Sequence, residues 1–444
     1  MQQSYGRSIA VIGSGVAGLT AAYILSGRDR VALYEADVRL GGHAHTHYVD
    51  AGDGTTVGVD SAFLVHNDRT YPTLCRLFAE LGVDTQESDM SMSVRADDFD
   101  GGDGTDGRGL EYAGAVGIGG LFACRQSLRP RYLLMLAEIL RFHRAASQLL
   151  EHSAPEGVGE LETLEAFLSR HRFSAYFVDY FITPLVAAVW SCAGADALRY
   201  PARYLFVFLS HHGMLTVFGS PTWRTVTGGS ATYVRAIAAR LDEVLTGTPV
   251  HSLRRAPGGV LVQAGNAAPR FFDAAVVAVH PDQALLLLDD PLPRERTVLG
   301  AIPYSTNRAQ LHTDSSVLPR HHRARASWNY LVTPGKDHVV VSYDISRLMR
   351  LQGSRRFLVT LGGQDRVDPD SVLDEMTYSH PLYTPESFAA QRLLPTLNDD
   401  AVVFAGAYHG WGFHEDGAAS GLAAARRLGA DWPAATRREE AVTC

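Results

Sequence analysis

The first predicted strand is Ser8-Ile-Ala-Val-Ile12, and this apolar run leads directly into Gly13-Ser-Gly-Val-Ala-Gly18. A helical run, Leu19 to Leu25, follows the glycines, and a second apolar run, Val31 to Tyr34, ends on Glu35. Strand, glycine-rich turn, helix and strand in this order predict a βαβ unit of the Rossmann type. This unit decides the fold class, because parallel βαβ units belong to α/β domains.

The glycines of the turn are predicted to have three different roles. Gly13 allows a tight turn out of the strand, Gly15 lets a diphosphate approach the backbone, and Gly18 lets the helix pack against the strand. The N-terminus of the helix adds unpaired N–H groups and a partial positive charge. The turn is therefore predicted to bind the diphosphate of an adenine dinucleotide. The residues between the glycines share that predicted role: Ser14, Val16 and Ala17.

An acidic residue stands at the end of the second strand. The carboxylate of Glu35 can accept hydrogen bonds from ribose hydroxyls, and it repels a 2′-phosphate, which disfavours NADP. We therefore predict that Glu35, with Ala36 beside it, contacts the ribose of the cofactor. The alternative is a glycine-rich turn that binds nothing, since the chain contains 42 glycines.

The next motif separates NAD from FAD. Leu40-Gly-Gly-His-Ala-His-Thr46 follows Glu35 within a few residues. This pattern resembles the FAD-binding signature of the amine oxidase and phytoene desaturase superfamily. His43 stands where the superfamily usually has arginine, and a histidine can donate to a phosphate or ribityl oxygen without a permanent charge. The resemblance implies FAD contacts from four residues of this motif: Gly41, Gly42, His43 and Thr46.

The resemblance covers nearly the whole chain, in four blocks: residues 8–68, Trp223 to Arg235, Pro249 to Val279, and Val402 to Gly421. Within the superfamily, the chain is similar to a branch of predicted FAD-binding proteins associated with cyclopropane-fatty-acid synthases. The resemblance implies that the backbone at Val250 meets the adenine, and that the last block covers the flavin and its ribityl chain. The residues implied in that last block are Gly406, Gly412, Phe413, His414, Glu415, Asp416 and Gly417.

The implied fold is α/β, with a Rossmann-type (GR2-like) FAD-binding domain and a second, α+β substrate domain made of an antiparallel sheet and a helical cap. Both domains are expected to be discontinuous in sequence. The predicted boundaries are 1–90, 226–295 and 396–435 for the FAD-binding domain, 91–225 and 296–395 for the substrate domain, and 436–444 for a frayed tail.

Hydrophobic periodicity predicts the elements of the substrate domain. A hairpin is predicted from Met92 to Ala96 and Leu110 to Ala113. Strands of the sheet floor are predicted at Ala326–Val332 and His338–Tyr343. The predicted helices of the cap are Tyr132–Leu150, Leu164–Arg170, Ala175–Trp190 and Pro201–Leu209.

Aromatic residues are concentrated around glycines in the C-terminal block. Tyr408, Trp411 and Phe413 are candidates to line the flavin, and the alternative is that they only pack the domain interior. Glu415 and Asp416 precede a helix, where an acid commonly caps free N–H groups, so that capping is the favoured role for Asp416. No cysteine lies in residues 402–421, so FAD is expected to be bound non-covalently.

The sequence offers two candidates for a catalytic acid or base. Asp60 follows Gly58-Val59, a stretch that in the family runs beneath the flavin, and His212 matches a segment that could face the substrate cavity. A packing role for His212 is about as well supported. The single lysine, Lys336, lies in a turn by composition. It is not expected to serve as the flavin-side lysine of many amine oxidases, which leaves the electron acceptor open between O₂, a quinone and another partner.

Alternating histidines raise the question of a metal. His43, His45 and His47 share one face if this stretch is extended, and a His-x-His-x-His pattern can bind metal. However, His43 belongs to the FAD motif, and no acid or cysteine is arranged nearby in the sequence. We therefore predict no metal site.

Composition excludes several classes of protein. The formal net charge is −8, and no basic face argues for nucleic acid. No stretch reaches the length of apolar sequence that a membrane helix needs. Four widely spaced cysteines and an N-terminus without an apolar signal segment favour a cytoplasmic location. Peripheral membrane contact stays open.

The leading functional hypothesis is an FAD-dependent oxidoreductase that dehydrogenates an apolar substrate, such as a fatty-acyl lipid, by hydride transfer to flavin N5. One alternative is a flavin amine oxidase that acts on a secondary-metabolite amine or amide. Another is a redox-neutral, flavin-dependent isomerase. The partner is in each case a small-molecule or lipid substrate.

Overall fold

The computed structural model describes residues 6–97, 109–151, 162–215, 220–332 and 340–432. Three features considered above lie outside these residues: the turn of Lys336, the first two residues of the predicted strand His338–Tyr343, and the tail 436–444. The internal contacts of the chain divide it into two compact units. The first unit comprises residues 1–42, 234–296 and 394–444, and the second comprises residues 43–233 and 297–393. The domain boundaries given above divide the chain by function and stay a prediction.

A parallel sheet forms the centre of the first unit. All of its neighbouring strands run parallel, and Ala10 pairs with Ala32 on one side and Ala275 on the other. Apart from the edge strand Glu243–Leu245, which is partly buried, the strands are almost entirely apolar and buried, as expected for a parallel sheet covered on both faces. In spatial order they are β10 (Glu243–Leu245), β2 (Arg30–Tyr34), β1 (Ser8–Ile12), β14 (Ala274–Val277) and β20 (Val402–Phe404).

Helices and a small antiparallel sheet complete the first unit. Helix α1 (Val16–Leu25) is buried along its whole length and packs against α15 (His414–Arg427). The helices that lie wholly in this unit are α1 (Val16–Leu25), α11 (Pro281–Leu287) and α15 (His414–Arg427). The antiparallel sheet consists of β11 (Val250–Ala256), β12 (Gly259–Ala264) and β13 (Arg270–Phe272). Two helices lie where the chain passes from one unit to the other: α10 (Ala231–Ala238) and α12 (Pro293–Gly300).

A seven-stranded mixed sheet dominates the second unit. The predicted hairpin is confirmed, because Met92–Ala96 pairs antiparallel with Leu110–Gly114. Strand β7 (Met92–Ala96) pairs parallel with β16 (Trp328–Val332), and the other pairs are antiparallel. In spatial order the strands are β19 (Val372–Pro381), β15 (Tyr304–His312), β18 (Leu358–Leu361), β17 (Val341–Asp344), β16 (Trp328–Val332), β7 (Met92–Ala96) and β8 (Leu110–Gly114).

Two small sheets belong to the same unit. One is the hairpin of β3 (Thr46–Asp50) and β4 (Thr56–Asp60), and the other has the order β5 (His66–Asn67), β9 (Trp223–Val226) and β6 (Thr85–Glu87). The hydrophobic core of the unit contains Val59, from the end of β4, together with buried residues of the large sheet. The first small sheet is thus anchored in the main core.

The predicted helices of the cap are confirmed. The segment Ala175–Trp190 is helical throughout, but a π-helical turn, Val178–Ile182, interrupts it. The α-helices of the second unit are α2 (Pro72–Leu81), α3 (Ile118–Leu121), α4 (Pro130–Glu151), α5 (Leu164–Arg170), α6 (Ala175–Phe177), α7 (Thr183–Trp190), α8 (Gly194–Arg199), α9 (Ala202–His211), α13 (Ile345–Leu348) and α14 (Pro385–Gln391). Within the described residues, no helix is both long and apolar enough to cross a membrane.

Candidate functional site

Two glycines of the β1–α1 turn are required by packing. Gly13 has a φ of +99°, which favours glycine, and its N–H donates to the carbonyl oxygen of Tyr34 at 2.8 Å. A Cβ at Gly18 would lie 1.9 Å from the carbonyl oxygen of Gly13. Neither position therefore accepts a side chain, and together they hold the strand, turn and helix in one tight geometry.

Gly15 differs from both of them. A Cβ built on Gly15 would meet nothing within 4 Å, and its φ of −61° is open to any residue. Gly15 is the N-cap of α1; no side chain among the described residues caps this helix end, and its first turn contains no acid. Uncapped N–H groups and the positive end of the helix dipole thus face open space, which fits a diphosphate.

Ser14 connects the turn with the acid of the second strand. Its backbone N–H donates to Glu35 Oε2 at 2.9 Å, while the N–H of Asp37 donates to Glu35 Oε1 at 2.9 Å. The hydroxyl of Ser14 also donates to Glu35 and accepts from the N–H of Gly41 at 3.1 Å. Glu35 Oε1 keeps acceptor capacity for a ribose hydroxyl. Ser14 is fully buried, so its side chain fixes the carboxylate.

The Gly41–Gly42 turn lies against the diphosphate turn. Both glycines have positive φ, +111° and +56°, and a Cβ at Gly42 would lie 3.2 Å from the Cα of Gly15. The guanidinium of Arg39 donates to the carbonyl oxygens of Leu40 at 3.1 Å and Gly42 at 2.9 Å. Sequence reasoning missed Arg39, although an arginine just before a Gly-Gly pair is a visible signal.

Val250 lies close in sequence to a residue that is hydrogen-bonded to Glu35. The N–H of Thr248, two residues before it, donates to the carbonyl oxygen of Glu35 at 2.9 Å. Val250 then opens β11 and is half-buried, and Ala36 is exposed. The predicted adenine and ribose contacts of Val250 and Ala36 stay predictions, but both residues lie beside Glu35.

The C-terminal block packs directly on the dinucleotide turn. A Cβ at Gly417 would lie 2.5 Å from Cγ1 of Val16, and a Cβ at Gly421 would lie 2.2 Å from the carbonyl oxygen of Ala17. Helix α15 therefore needs glycine on the face that contacts α1. This contact brings the C-terminal block and the glycine-rich turn together within the first unit.

The three aromatic residues of the block have different environments. Trp411 and Phe413 are half-buried and retain exposed surface, as does Gly412 with its φ of +89°. Tyr408 is only 1% exposed, and a Cβ at Gly406 would lie 2.2 Å from its ring. Burial also raises the pKa of Tyr408. For Tyr408 the structure therefore favours packing, and its role in lining the flavin stays a prediction.

Asp416 caps α15. Its Oδ2 accepts from the N–H of Phe413 at 2.9 Å, and a Cβ at Gly410 would lie 2.0 Å from the carboxylate. Burial raises the pKa of Asp416 to about 7, although the N–H groups of Phe413 and Trp411 oppose that shift. His414 and Glu415 are half-buried beside it. Their predicted contacts with FAD stay predictions.

Asp60 and Thr46 meet in the second unit, but as a structural anchor. Asp60 is 1% exposed, and its carboxylate accepts from the hydroxyl of Thr46, from the N–H of Ser230 at 2.9 Å and from the hydroxyl of Ser230 at 2.8 Å. The hydroxyl of Thr46 accepts from the N–H of Ala231 at 2.9 Å, where α10 begins. A Cβ at Gly229 would lie 2.5 Å from Thr46.

This anchor concerns two residues with predicted functional roles. Asp60 was predicted to act as an acid or base and Thr46 to bind FAD, and both roles stay predictions. Burial raises the pKa of Asp60 to about 6, and hydrogen bonds from Thr46 and Ser230 oppose that shift. Because its oxygens accept hydrogen bonds from buried donors, the carboxylate holds the hairpin β3–β4 to the start of α10, and the structure favours this anchoring role.

His212 is also a structural residue. It is 6% exposed; its Nδ1 lies 2.9 Å from the carbonyl oxygen of Phe208, and its Nε2 lies 3.4 Å from the hydroxyl of Thr70. Its ring stacks on Phe208, with centroids 4.0 Å apart, and lies parallel to the ring of Trp223. Burial lowers the pKa of His212 to about 4. Hydrogen-bond contacts at both ring nitrogens favour the packing role that the sequence left open, and the catalytic role of His212 stays a prediction.

His43 lies on another part of the second unit. Its ring packs 5.0 Å from that of Tyr378 and 5.2 Å from that of His380. Both partners lie on β19, two positions apart, so they share one face of that strand. The contact of His43 with FAD stays a prediction.

Comparison with known proteins identifies the family of the chain. Residues 16–429 match the family model described as flavin containing amine oxidoreductase. The chain belongs to this family. This amine oxidoreductase is an FAD-dependent oxidoreductase, so that the predicted superfamily, enzyme class and cofactor are confirmed.

A curated relative is the carotenoid phi-ring synthase of Streptomyces griseus, which is 29% identical over 287 residues. The match covers 61% of this amine oxidoreductase and 52% of the relative, so the chain spans about half the length of that protein.

Solved structures show the same fold. A redesigned putrescine oxidase has a TM-score of 0.66 at 16% identity, with 96% of this chain and 99% of that chain covered. Cyclohexylamine oxidase from Brevibacterium oxydans IH-35A has a TM-score of 0.66 at 17% identity, with 95% and 98% covered. A fatty acid isomerase from P. acnes that produces CLA has a TM-score of 0.66 at 15% identity, with 94% and 97% covered. The predicted fold class is thus confirmed.

Proposed function

We propose that this oxidoreductase dehydrogenates a fatty-acyl lipid, or a similarly apolar substrate, at the surface of a membrane. FAD, when bound, supplies the hydride acceptor at flavin N5. The chain itself must hold that cofactor and admit a water-insoluble substrate. We further propose a cytoplasmic location. In the described part of the chain Cys75, Cys124 and Cys192 form no disulfide, and thiols stay reduced in that compartment. The proposed acceptor of the electrons is O₂ or a quinone.

The cofactor end of the proposal is supported by the first unit. Gly15 and the uncapped start of α1 would hold the diphosphate, and the oriented carboxylate of Glu35 would hold the ribose. Arg39 would position the Gly41–Gly42 turn beside them. The proposed FAD contacts of the first unit are Gly13, Ser14, Gly15, Val16, Ala17, Gly18, Glu35, Ala36, Gly41, Gly42, Val250, Gly406, Gly412, Phe413, His414, Glu415, Asp416 and Gly417.

The substrate end is supported by an exposed apolar surface on the second unit. Between α3 and the middle of α4, large apolar side chains are 38% to 77% exposed instead of buried. Scattered exposed leucines are ordinary, but exposed apolar side chains grouped this closely in sequence fit an interaction site. We call this set the apolar surface; its members are Ile118, Phe122, Leu128, Leu133, Leu134 and Leu140.

Charge at the apolar surface favours a bilayer over another protein surface. Leu133, Leu140 and Arg144 lie on one face of α4, because they are spaced seven and four residues apart. Arg144 is exposed, and so is Arg125, just before α4. Apolar side chains next to exposed arginines fit the acyl and headgroup layers of an anionic phospholipid membrane.

The relatives agree with an apolar substrate. The carotenoid phi-ring synthase and the fatty acid isomerase are both named for water-insoluble molecules. In addition, Asp60, the buried carboxylate that the sequence offered for acid–base chemistry, is taken up by hydrogen bonds within the protein.

The test uses the purified, FAD-loaded chain under anaerobic conditions. Vesicles of unsaturated or cyclopropane phospholipid should bleach the flavin, and a panel of amines should not. Bleaching by amines alone would contradict the proposal. Bleaching by neither, together with a shifted double bond at unchanged oxidation level after chemical reduction of the flavin, would instead establish the isomerase alternative.

A further inference from the structure

A cluster of side chains of the types that ligate metals lies outside the residues proposed for FAD. One donor atom each from His45, His47 and Asp374 lies within 4.8 Å of the other two. His47 Nδ1 is 3.0 Å from Asp374 Oδ2, and the rings of His45 and His47 are 3.9 Å apart between centroids. The sequence did not show this group as a site, because Asp374 comes from β19, far along the chain from β3.

The backbone explains why these three side chains meet. His45 and His47 are two positions apart at the start of β3, so their side chains leave the same face of the chain. Asp374 and Tyr378 are four positions apart on β19 and also share one face. β19 is the edge strand of the large sheet, and its face carries Asp374 and Tyr378 to the two histidines.

Each histidine has one ring nitrogen already fixed by a buried hydroxyl. His47 Nε2 lies 2.8 Å from the hydroxyl of Ser61, and His45 Nδ1 lies 3.0 Å from the hydroxyl of Tyr378. These two hydroxyls are themselves 2.6 Å apart, and Ser61 and Tyr378 are only 4% and 6% exposed. The second nitrogen of His47, Nδ1, is the atom that faces the carboxylate of Asp374.

This pattern matches the surroundings of known metal sites. Histidines that bind metals generally have their other ring nitrogen held by a hydrogen bond, which fixes the tautomer and the ring orientation. Ligands bonded to one metal at about 2.1 Å stand roughly 3.3 Å apart in a tetrahedral site. The observed 3.0 Å between His47 and Asp374 is close to that separation. A metal can also enter, because the side chain of Asp374 is 51% exposed.

We propose that His45, His47 and Asp374 bind a divalent transition metal of the zinc class, with water in the remaining coordination position. Two neutral imidazoles and one carboxylate suit Zn²⁺, whereas Ca²⁺ and Mg²⁺ prefer oxygen ligands. The metal would join β3 to the edge strand β19 within the second unit. Ser61 and Tyr378 act as positioning residues for the two histidines.

The experiment uses the full-length, tag-free, FAD-loaded chain after treatment with a chelator. Zinc chloride is titrated by calorimetry, and bound zinc is counted by elemental analysis. The expected result is one zinc per chain, with a Tm that rises on zinc addition, because a ligand that binds only the folded state stabilises it. His47→Ala and Asp374→Ala should each weaken zinc binding at least tenfold. Ser61→Ala should weaken it about tenfold without abolishing it.

The matched control is His322→Ala, because His322 is an exposed histidine elsewhere on the second unit. This variant should bind zinc as the unmodified chain does. The proposal is overturned if zinc does not saturate at one equivalent, or if His47→Ala and Asp374→Ala bind zinc as tightly as His322→Ala. In that case the contact between His47 and Asp374 is only a hydrogen bond. Neither result depends on which substrate the enzyme uses.

Discussion

Replacing Asp60 with alanine should destabilise the second unit. The carboxylate accepts hydrogen bonds from the hydroxyl of Thr46 and from both the N–H and the hydroxyl of Ser230. Removing it leaves these donors buried and without an acceptor. Each such buried donor costs about 1–3 kcal/mol, and two or three of them imply a loss of about 3–5 kcal/mol. At roughly 2 °C per kcal/mol for a chain of this size, Tm should fall by about 6–10 °C.

The pH dependence of this loss has a defined sign. Burial raises the pKa of Asp60 from 3.8 to about 6. A group with a raised folded-state pKa contributes stability that is present below its unfolded pKa and is lost as the pH rises through the folded value. The difference in stability between the unmodified chain and Asp60→Ala should therefore be larger at pH 5 than at pH 8. A pKa shift of about two units corresponds to about 3 kcal/mol, which is the upper limit of the difference in stability between the two pH values.

Thermal unfolding followed by circular dichroism at pH 5 and pH 8 measures both effects. Asp53→Ala is the matched control, because Asp53 is an exposed acid in the turn of the same hairpin. Ser230→Ala removes only one of the hydroxyl contacts and should cost about 1 kcal/mol. A Tm for Asp60→Ala within 2 °C of that of Asp53→Ala, with normal folding, would refute the anchoring role.

Three further predictions follow from the structure. Asp416→Asn keeps an acceptor for the N–H of Phe413 but removes a carboxyl whose pKa burial raises to about 7. Between pH 4 and pH 7 the stability of the variant should therefore fall less than that of the unmodified chain, as measured by Tm against pH. His212→Gln should lower Tm by several degrees and leave kcat within about threefold; a tenfold lower kcat at unchanged Tm would restore the catalytic hypothesis. The double variant Leu133→Asp, Leu134→Asp should lose sedimentation with anionic vesicles, whereas Leu286→Asp, at another exposed leucine, should keep it.

The part of the site that the sequence predicted is the part built from neighbours in the chain. The roles of Gly13, Gly15 and Gly18 follow from backbone geometry that a short motif defines, and Glu35 follows from the end of the second strand. The capping contact of Asp416 is likewise local, since its partner is Phe413. The contact of α15 with α1 needed the resemblance to a family, because no local pattern connects residues so far apart.

The contacts that the sequence did not show involve partners far away in the chain. Asp60 was predicted to act as an acid or base because it follows Gly58-Val59, a stretch that in the family runs beneath the flavin. In the structure its carboxylate accepts a hydrogen bond from Ser230, 170 residues away. His212 has local partners, yet the stacking rings that bury it include Trp223 on another element. The acid beside His47 was missed for the same reason, since Asp374 reaches it only through the fold of β19.

The most direct test of the account compares FAD retention in Gly15→Leu and Gly18→Ala. Gly15 faces open space at an ordinary φ, so Gly15→Leu should fold with unchanged circular dichroism and unchanged Tm of the FAD-free protein. It should nevertheless lose the flavin absorption near about 450 nm, because the new side chain fills the place of the diphosphate. Gly18→Ala should instead fold poorly, since its Cβ would lie 1.9 Å from Gly13. A folded Gly15→Leu protein that binds FAD as tightly as the unmodified chain would contradict the proposed cofactor site.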